Sequence, residues 1–174
     1  MVLELKVPHA ANFSALAELL PVFVSYVLSF TFIGIYWNNH HHLFHTVDRV
    51  TGGVLWANNH LLFWLSLVPF ATGWMGENNF AQVPVIAYGV VLLMAGVAYF
   101  VLTRVIVRSQ GANSRLATAI GRDWKGTGST VLLVVGIALA FVNPLLAFAA
   151  DFAVAAIWFI PDRRIESMAA KDRD

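Results

Sequence analysis

Read from the amino terminus, the chain alternates between long apolar stretches and short polar breaks, and the stretches are too long for strands. The first runs from Leu19 to Trp37 without a charge, and either Asn12 or Ser14 is placed to cap it, with Glu18 favourable against the helix dipole. Polar residues then return in Asn38, Asn39, His40, His41 and His42, and Asp48, Arg49, Gly52 and Gly53 close the element. A second stretch covers about 54–75 and a third about 83–107, with Arg104 and Arg108 at its end. The apolar block from Thr130 to Ile160 is too long for one straight span. It is expected to break at Asn143-Pro144, because Asn caps well and Pro is tolerated at the first helical position.

A bilayer-spanning helix needs about 20 mainly apolar residues. The pattern therefore predicts an all-α, polytopic membrane helix bundle in one domain over 1–174, with spans at about 14–45, 54–75, 83–107, 129–142 and 144–160. A cytoplasmic loop is expected over 109–128, with a short surface helix around Leu116 to Ile120, and a cytoplasmic tail over 161–174. Lysine and arginine in short loops favour the cytoplasm, and Arg104, Arg108, Arg115, Arg122, Lys125, Arg163, Arg164, Lys171 and Arg173 all fall on one side under this topology. Residues 1–8, ending at Pro8, read as the remnant of an earlier helix, so that five complete spans stand in a six-helix design. Trp37, Trp56, Trp74, Trp158, Tyr36 and Tyr99 lie near span ends, where interfacial aromatics are expected.

Composition strengthens this reading and excludes others. With 59% hydrophobic and 12% charged residues, the chain has too little polar surface to cover a water-soluble globule, so membrane lipid is an expected partner. A formal net charge of +1 argues against a nucleic-acid partner, and the absence of cysteine removes disulfides and thiolate metal sites. No glycine-rich phosphate loop, nucleophile elbow or His-Glu-x-x-His is present; the expectation is no catalytic residue, no enzyme activity and no cofactor.

The chemistry that remains is concentrated at one level. Asn39, His40 and His41, beside Trp37 at the end of the first span, and Asn58 and His60 at the start of the second are brought to the same depth by two antiparallel helices. Such groups find no hydrogen-bond partners in hydrocarbon, so they are expected to face protein or water, either supporting an ion pathway or fastening helices together. His41 and His45, four residues apart, share a helical face that suits a metal ion, but no carboxylate or thiolate completes a site and no metal is expected. Asp151 is a candidate intramembrane acid. It stands about two turns from Asn143, so a short helix is expected to leave it within reach of water.

The segment from Phe32 to Phe44, with Trp37-x-x-His40 and then Leu43-Phe44, the run from Trp56-Ala57-Asn58 to Leu67-Val68-Pro69-Phe70, a Leu3-Glu4-Leu5-Lys6-Val7-Pro8 start and a closing Trp158 to Arg164 together resemble the transmembrane protein 175 family of potassium channels in its single-repeat, prokaryote-type form. The resemblance implies a homotetramer that conducts potassium as the permeating ion through a pore lined by the first helix of each subunit, in the cell membrane with a cytoplasmic carboxyl terminus. The positions matching the partners of that helix are Trp37, His40 and Asn58; Asn39, His41 and His60 join by depth. The family's Phe-Ser-Asp motif is absent from these residues. The competing expectations are a non-conducting membrane scaffold and a histidine-based membrane metal-binding protein.

Overall fold

The computed structural model describes residues 17, 19–45, 47, 49–111 and 124–159. Five helices make up the described fold: α1 Leu20–His45, α2 Gly52–Glu77, α3 Gln82–Gln110, α4 Trp124–Ala140 and α5 Pro144–Phe159. The first three have the length and apolarity to cross a membrane, while α4 and α5 are apolar but have only 17 and 16 residues. At 1.5 Å per residue the short pair reaches roughly 25 Å, somewhat less than a hydrocarbon core of about 30 Å.

The ends of the helices are set by local chemistry. Thr51 caps α2, its hydroxyl accepting from the Val54 amide at 3.4 Å. Gly52 and Gly53 therefore begin α2, where the sequence pattern placed them in the preceding turn. Asn143 accepts from the Leu145 amide at 2.9 Å and Pro144 takes the first position of α5, as the pattern predicted. The loop expected over 109–128 is shorter at both ends, since α3 continues to Gln110 and α4 begins at Trp124. Gly126 and Gly128 had argued for a loop there, but helix propensity is a weak preference that packing overrides. The helix remnant at 1–8, the surface helix around Leu116 to Ile120 and the tail at 161–174 lie outside the described residues.

Consecutive helices run antiparallel. The Gln82 side chain donates to the Ala140 carbonyl at 3.1 Å, which brings the α2–α3 and α4–α5 turns to one end of the bundle and satisfies an end carbonyl of α4. The start of α1 lies at this turn end too, with Pro21 and Val22 beside Gly76. At the other end, the histidine end, Gly53 lies near Val105, and the Trp158 indole donates to the Ser129 hydroxyl at 2.7 Å. In the α2–α3 turn, Asn79 and Phe80 both have positive φ, 48° and 57°, and Phe80 packs its ring 4.8 Å from that of Phe148 on α5. A bulky residue in that conformation is uncommon, and here the aromatic contact holds it.

The most buried of the three long helices is α3, which packs against α2, α4 and α5. Its residues Val85, Tyr88 and Leu92 join Phe32, Val68, Met75 and Leu133 in one core cluster; Ala98, Leu102 and Ile106 join Leu43, Val54 and Leu61 in another. Large residues such as Phe23, Phe30, Trp56, Phe63, Phe70 and Phe141 point outward. In a bilayer this costs nothing, because lipid tails are as apolar as leucine, and helix association depends on close packing and hydrogen bonds.

Close packing is read most directly at Gly76. A Cβ there would come 2.5 Å from the Ser25 hydroxyl and 3.0 Å from the Val22 Cα, so α1 and α2 touch where only glycine fits. Gly34 has nothing within 4 Å of such a Cβ. Gly76→Ala is expected to destabilise the detergent-solubilised protein by about 1–3 kcal/mol through overpacking, whereas Gly34→Ala should be neutral or stabilising by up to about 1 kcal/mol. Thermal unfolding of the two variants side by side checks this; equal midpoints would disprove the close α1–α2 approach.

Candidate functional site: a polar layer at the histidine end

α1 ends in a polar turn because the sequence changes abruptly at Trp37, yet the helix carries on to His45 and so presents these residues at fixed angular positions. Two of them, Asn39 and His40, turn toward the bundle. Asn39 is 8% exposed and its amide donates to the Ile35 carbonyl at 2.8 Å. The His40 Nε2–H donates to the Asn58 Oδ1 of α2 at 2.7 Å, both side chains being half-buried, and the His40 ring lies 4.4 Å from that of Phe44. The Tyr99 hydroxyl of α3 donates to the Asn39 carbonyl at 3.2 Å. Three helices are thus tied at one level by two polar contacts.

The remaining members turn outward. Trp37, His41 and His60 are exposed on the isolated subunit. Trp37 stacks on His41 at 5.4 Å, and His41 and His45 share a hydrogen bond between their Nε2 atoms at 3.0 Å. His60 accepts from the Trp64 indole at 3.0 Å, one turn along α2, and takes no part in the α1–α2 contact. The layer therefore has two faces, an inner one of Asn39, His40, Asn58 and Tyr99 and an outer one of Trp37, His41, His45 and His60. Among the described residues no group of three or more His, Asp or Glu could hold a metal. The arrangement fixes the angular position of α1 relative to α2 and supplies imidazole and amide groups to whatever meets the outer face.

Two contributors escaped the sequence pattern. Tyr99 had been placed among the interfacial aromatics with Tyr36, but the two rings meet edge to face at 6.2 Å between α1 and α3. A heptad-like α3 face through Tyr88, Leu92, Ala95, Tyr99, Leu102 and Ile106 was the available signal. A second polar level, nearer the turn end, was also missed. There Ser29 of α1 hydrogen-bonds Thr72 of α2, and Ser25, one turn away, donates to the Val22 carbonyl at 2.9 Å. Asp151, expected within reach of water, is 2% exposed. The short helix leaves it buried because its face packs on α4 rather than outward.

Comparison with known proteins finds relatives in sequence and in fold. Residues 1–69 match the family described as the endosomal/lysosomal potassium channel TMEM175. A potassium channel of Chryseobacterium sp. (strain P1-3) is 52% identical over 166 residues, which cover 95% of this chain and 86% of the relative. A potassium channel of Chamaesiphon minutus is 29% identical over 174 residues, covering 91% of this chain and 84% of that one. The crystal structure of a lysosomal potassium-selective channel TMEM175 homolog from Chamaesiphon minutus superposes with a TM-score of 0.76 at 26% identity, over 90% of this chain and 85% of that one.

The His40–Asn58 bond is testable by a double-mutant cycle on thermal stability. His40→Ala and Asn58→Ala should be less than additive, with a coupling near the average of about 0.6 kcal/mol for hydrogen bonds between transmembrane helices, and at most about 1.7 kcal/mol. Full additivity would mean that the two side chains act separately.

Proposed function

This chain belongs to the TMEM175 family of potassium channels, and on that premise we propose that it is one subunit of a homotetramer that lets potassium flow passively across a cell membrane, with its carboxyl terminus in the cytoplasm. The observation that carries the reading is the hydrogen bond from His40 to Asn58, joined by the Tyr99 contact to Asn39, which locks α1, α2 and α3 at one depth. A permeation helix needs a rigid wall to stand against, and this layer supplies one with polar groups on both faces. The outer face, Trp37, His41 and His60, is exposed on one subunit alone and is the surface presented to a pore helix or a neighbouring subunit.

The packing supports oligomerisation as well. Among the described residues two packed clusters fill the interior of the five helices, which favours a pathway between subunits. The exposed phenylalanines and valines of α1 offer apolar surface for such contacts. The alternative of a non-conducting scaffold shares the packing and differs in what the layer is for.

Potassium flux into liposomes separates the two. The full chain should give a flux that exceeds protein-free vesicles by well over an order of magnitude. Asn58→Leu should alter that flux while cross-linking still yields the same oligomer. Loss of the oligomer with no separate effect on flux would favour the scaffold, and no flux at all from the unaltered chain would end the channel reading.

A further inference from the structure

Asp151 is the one Asp, Glu, Lys, Arg or His that is buried among the described residues, and its Oδ2 has no hydrogen-bond partner there. It lies on α5 against α4, where a Cβ on Gly136 would come 3.1 Å from the Ala150 Cβ and 3.9 Å from the Asp151 Oδ1. The small residues Gly136, Ala147 and Ala150 bring the two helices together and seal the carboxyl from that side. On the other side stands Tyr88 of α3, fully buried, whose hydroxyl also lacks a hydrogen-bond partner among the described residues. The Tyr88 hydroxyl lies within electrostatic reach of Asp151 and approaches Ser29, which is bonded to Thr72. The orphaned Asp151 Oδ2 and the buried Tyr88 hydroxyl, the latter beside the Ser29–Thr72 pair, thus lie near each other among apolar helices.

Among the described residues, the ionisable groups near Asp151 carry no positive charge. α3 contributes Tyr88 and α1 contributes Tyr36, which lies farther along; α4 contributes Gly136. Arg104 and Arg108 of α3, Lys125 of α4 and the α1 histidines are all at the histidine end, and Glu77, at the turn end, is exposed. A bare carboxylate here would lack both water and a counter-charge, an arrangement that costs several kcal/mol even after relaxation. A neutral carboxyl group costs far less and gains a donor that a neighbouring hydroxyl or a water molecule satisfies.

We propose that Asp151 is a proton-binding site inside the bundle: its carboxyl holds a proton at neutral pH and directs it toward the Tyr88 hydroxyl. The proton's presence allows α3, α4 and α5 to stay in contact, because ionisation would put an uncompensated charge among them. The site lies midway along α5, away from the histidine layer, and does not depend on whether the chain conducts.

Infrared spectroscopy of the full chain in liposomes at neutral pH tests this without a flux measurement. The expected result is a carboxylic-acid C=O band above the amide I region that moves down in heavy water and disappears in Asp151→Asn. Labelling the unaltered chain with side-chain-carboxyl-¹³C aspartate should shift the same band, which assigns it to an aspartate, and in Asp151→Glu the label should no longer shift it, which assigns it to this position where the Asn variant does not fold. Tyr88→Phe should move the band without removing it, and replacing potassium by a bulky organic cation should leave it in place. An acid band missing from the unaltered chain, or one retained in Asp151→Asn, overturns the proposal. So does a band that vanishes when potassium is added, since that would make this a cation site, and an unmoved band in Tyr88→Phe removes the tyrosine from it.

Discussion

Hydrocarbon supplies no hydrogen-bond partners, and this constraint governs the placement of every polar side chain in the bundle. Ser25, Thr31, Ser66, Thr103 and Thr130 satisfy it locally, each donating to a carbonyl three or four residues back on its own helix. Such bonds make no connection between helices. His40, Asn58, Tyr99, Ser29 and Thr72 satisfy it across helices, and in doing so fix how α1, α2 and α3 sit relative to one another. Since burial of apolar surface gives no preference for protein over lipid, these bonds and the close contacts at Gly76 and Gly136 carry most of the specificity of the fold.

The result is a bundle clamped near both ends and apolar between. The histidine end holds the amide and imidazole layer, and the turn end holds the Ser29–Thr72 pair with Tyr88 and Asp151 nearby. Between them Tyr36 packs against both core clusters, meeting Tyr99 edge to face, while Phe32 meets Tyr88 in the same manner. α3 runs through both levels, which explains why it is the most buried of the long helices.

The two faces of the histidine layer differ in the contacts they make. The inner face is complete inside one subunit, so its bonds serve packing whatever else the protein does. The outer face ends in side chains whose contacts are to neighbours on the same helix, Trp37 with His41, His41 with His45 and His60 with Trp64. Residues arranged this way are held in place by their own helix, and Trp37, His41, His45 and His60 are exposed on the isolated subunit.

Much of this was legible along the chain, because membrane helices announce themselves through length and apolarity alone. The all-α class, the three long helices, the break at Asn143-Pro144 and the clustering of Asn39, His40 and Asn58 at one depth follow from local composition and from the antiparallel order of neighbours. Rotation about each helix axis was not legible: helices that are apolar all round carry little amphipathic signal, so nothing local told Asn39 and His40 apart from His41 and His60. Tertiary structure alone decided which side chains turn inward, that Tyr99 reaches Asn39 across 60 positions of sequence, and that Asp151 is sealed against Gly136 instead of meeting water. Each of those outcomes depends on how tightly two backbones approach, a property of pairs of helices that no single segment contains.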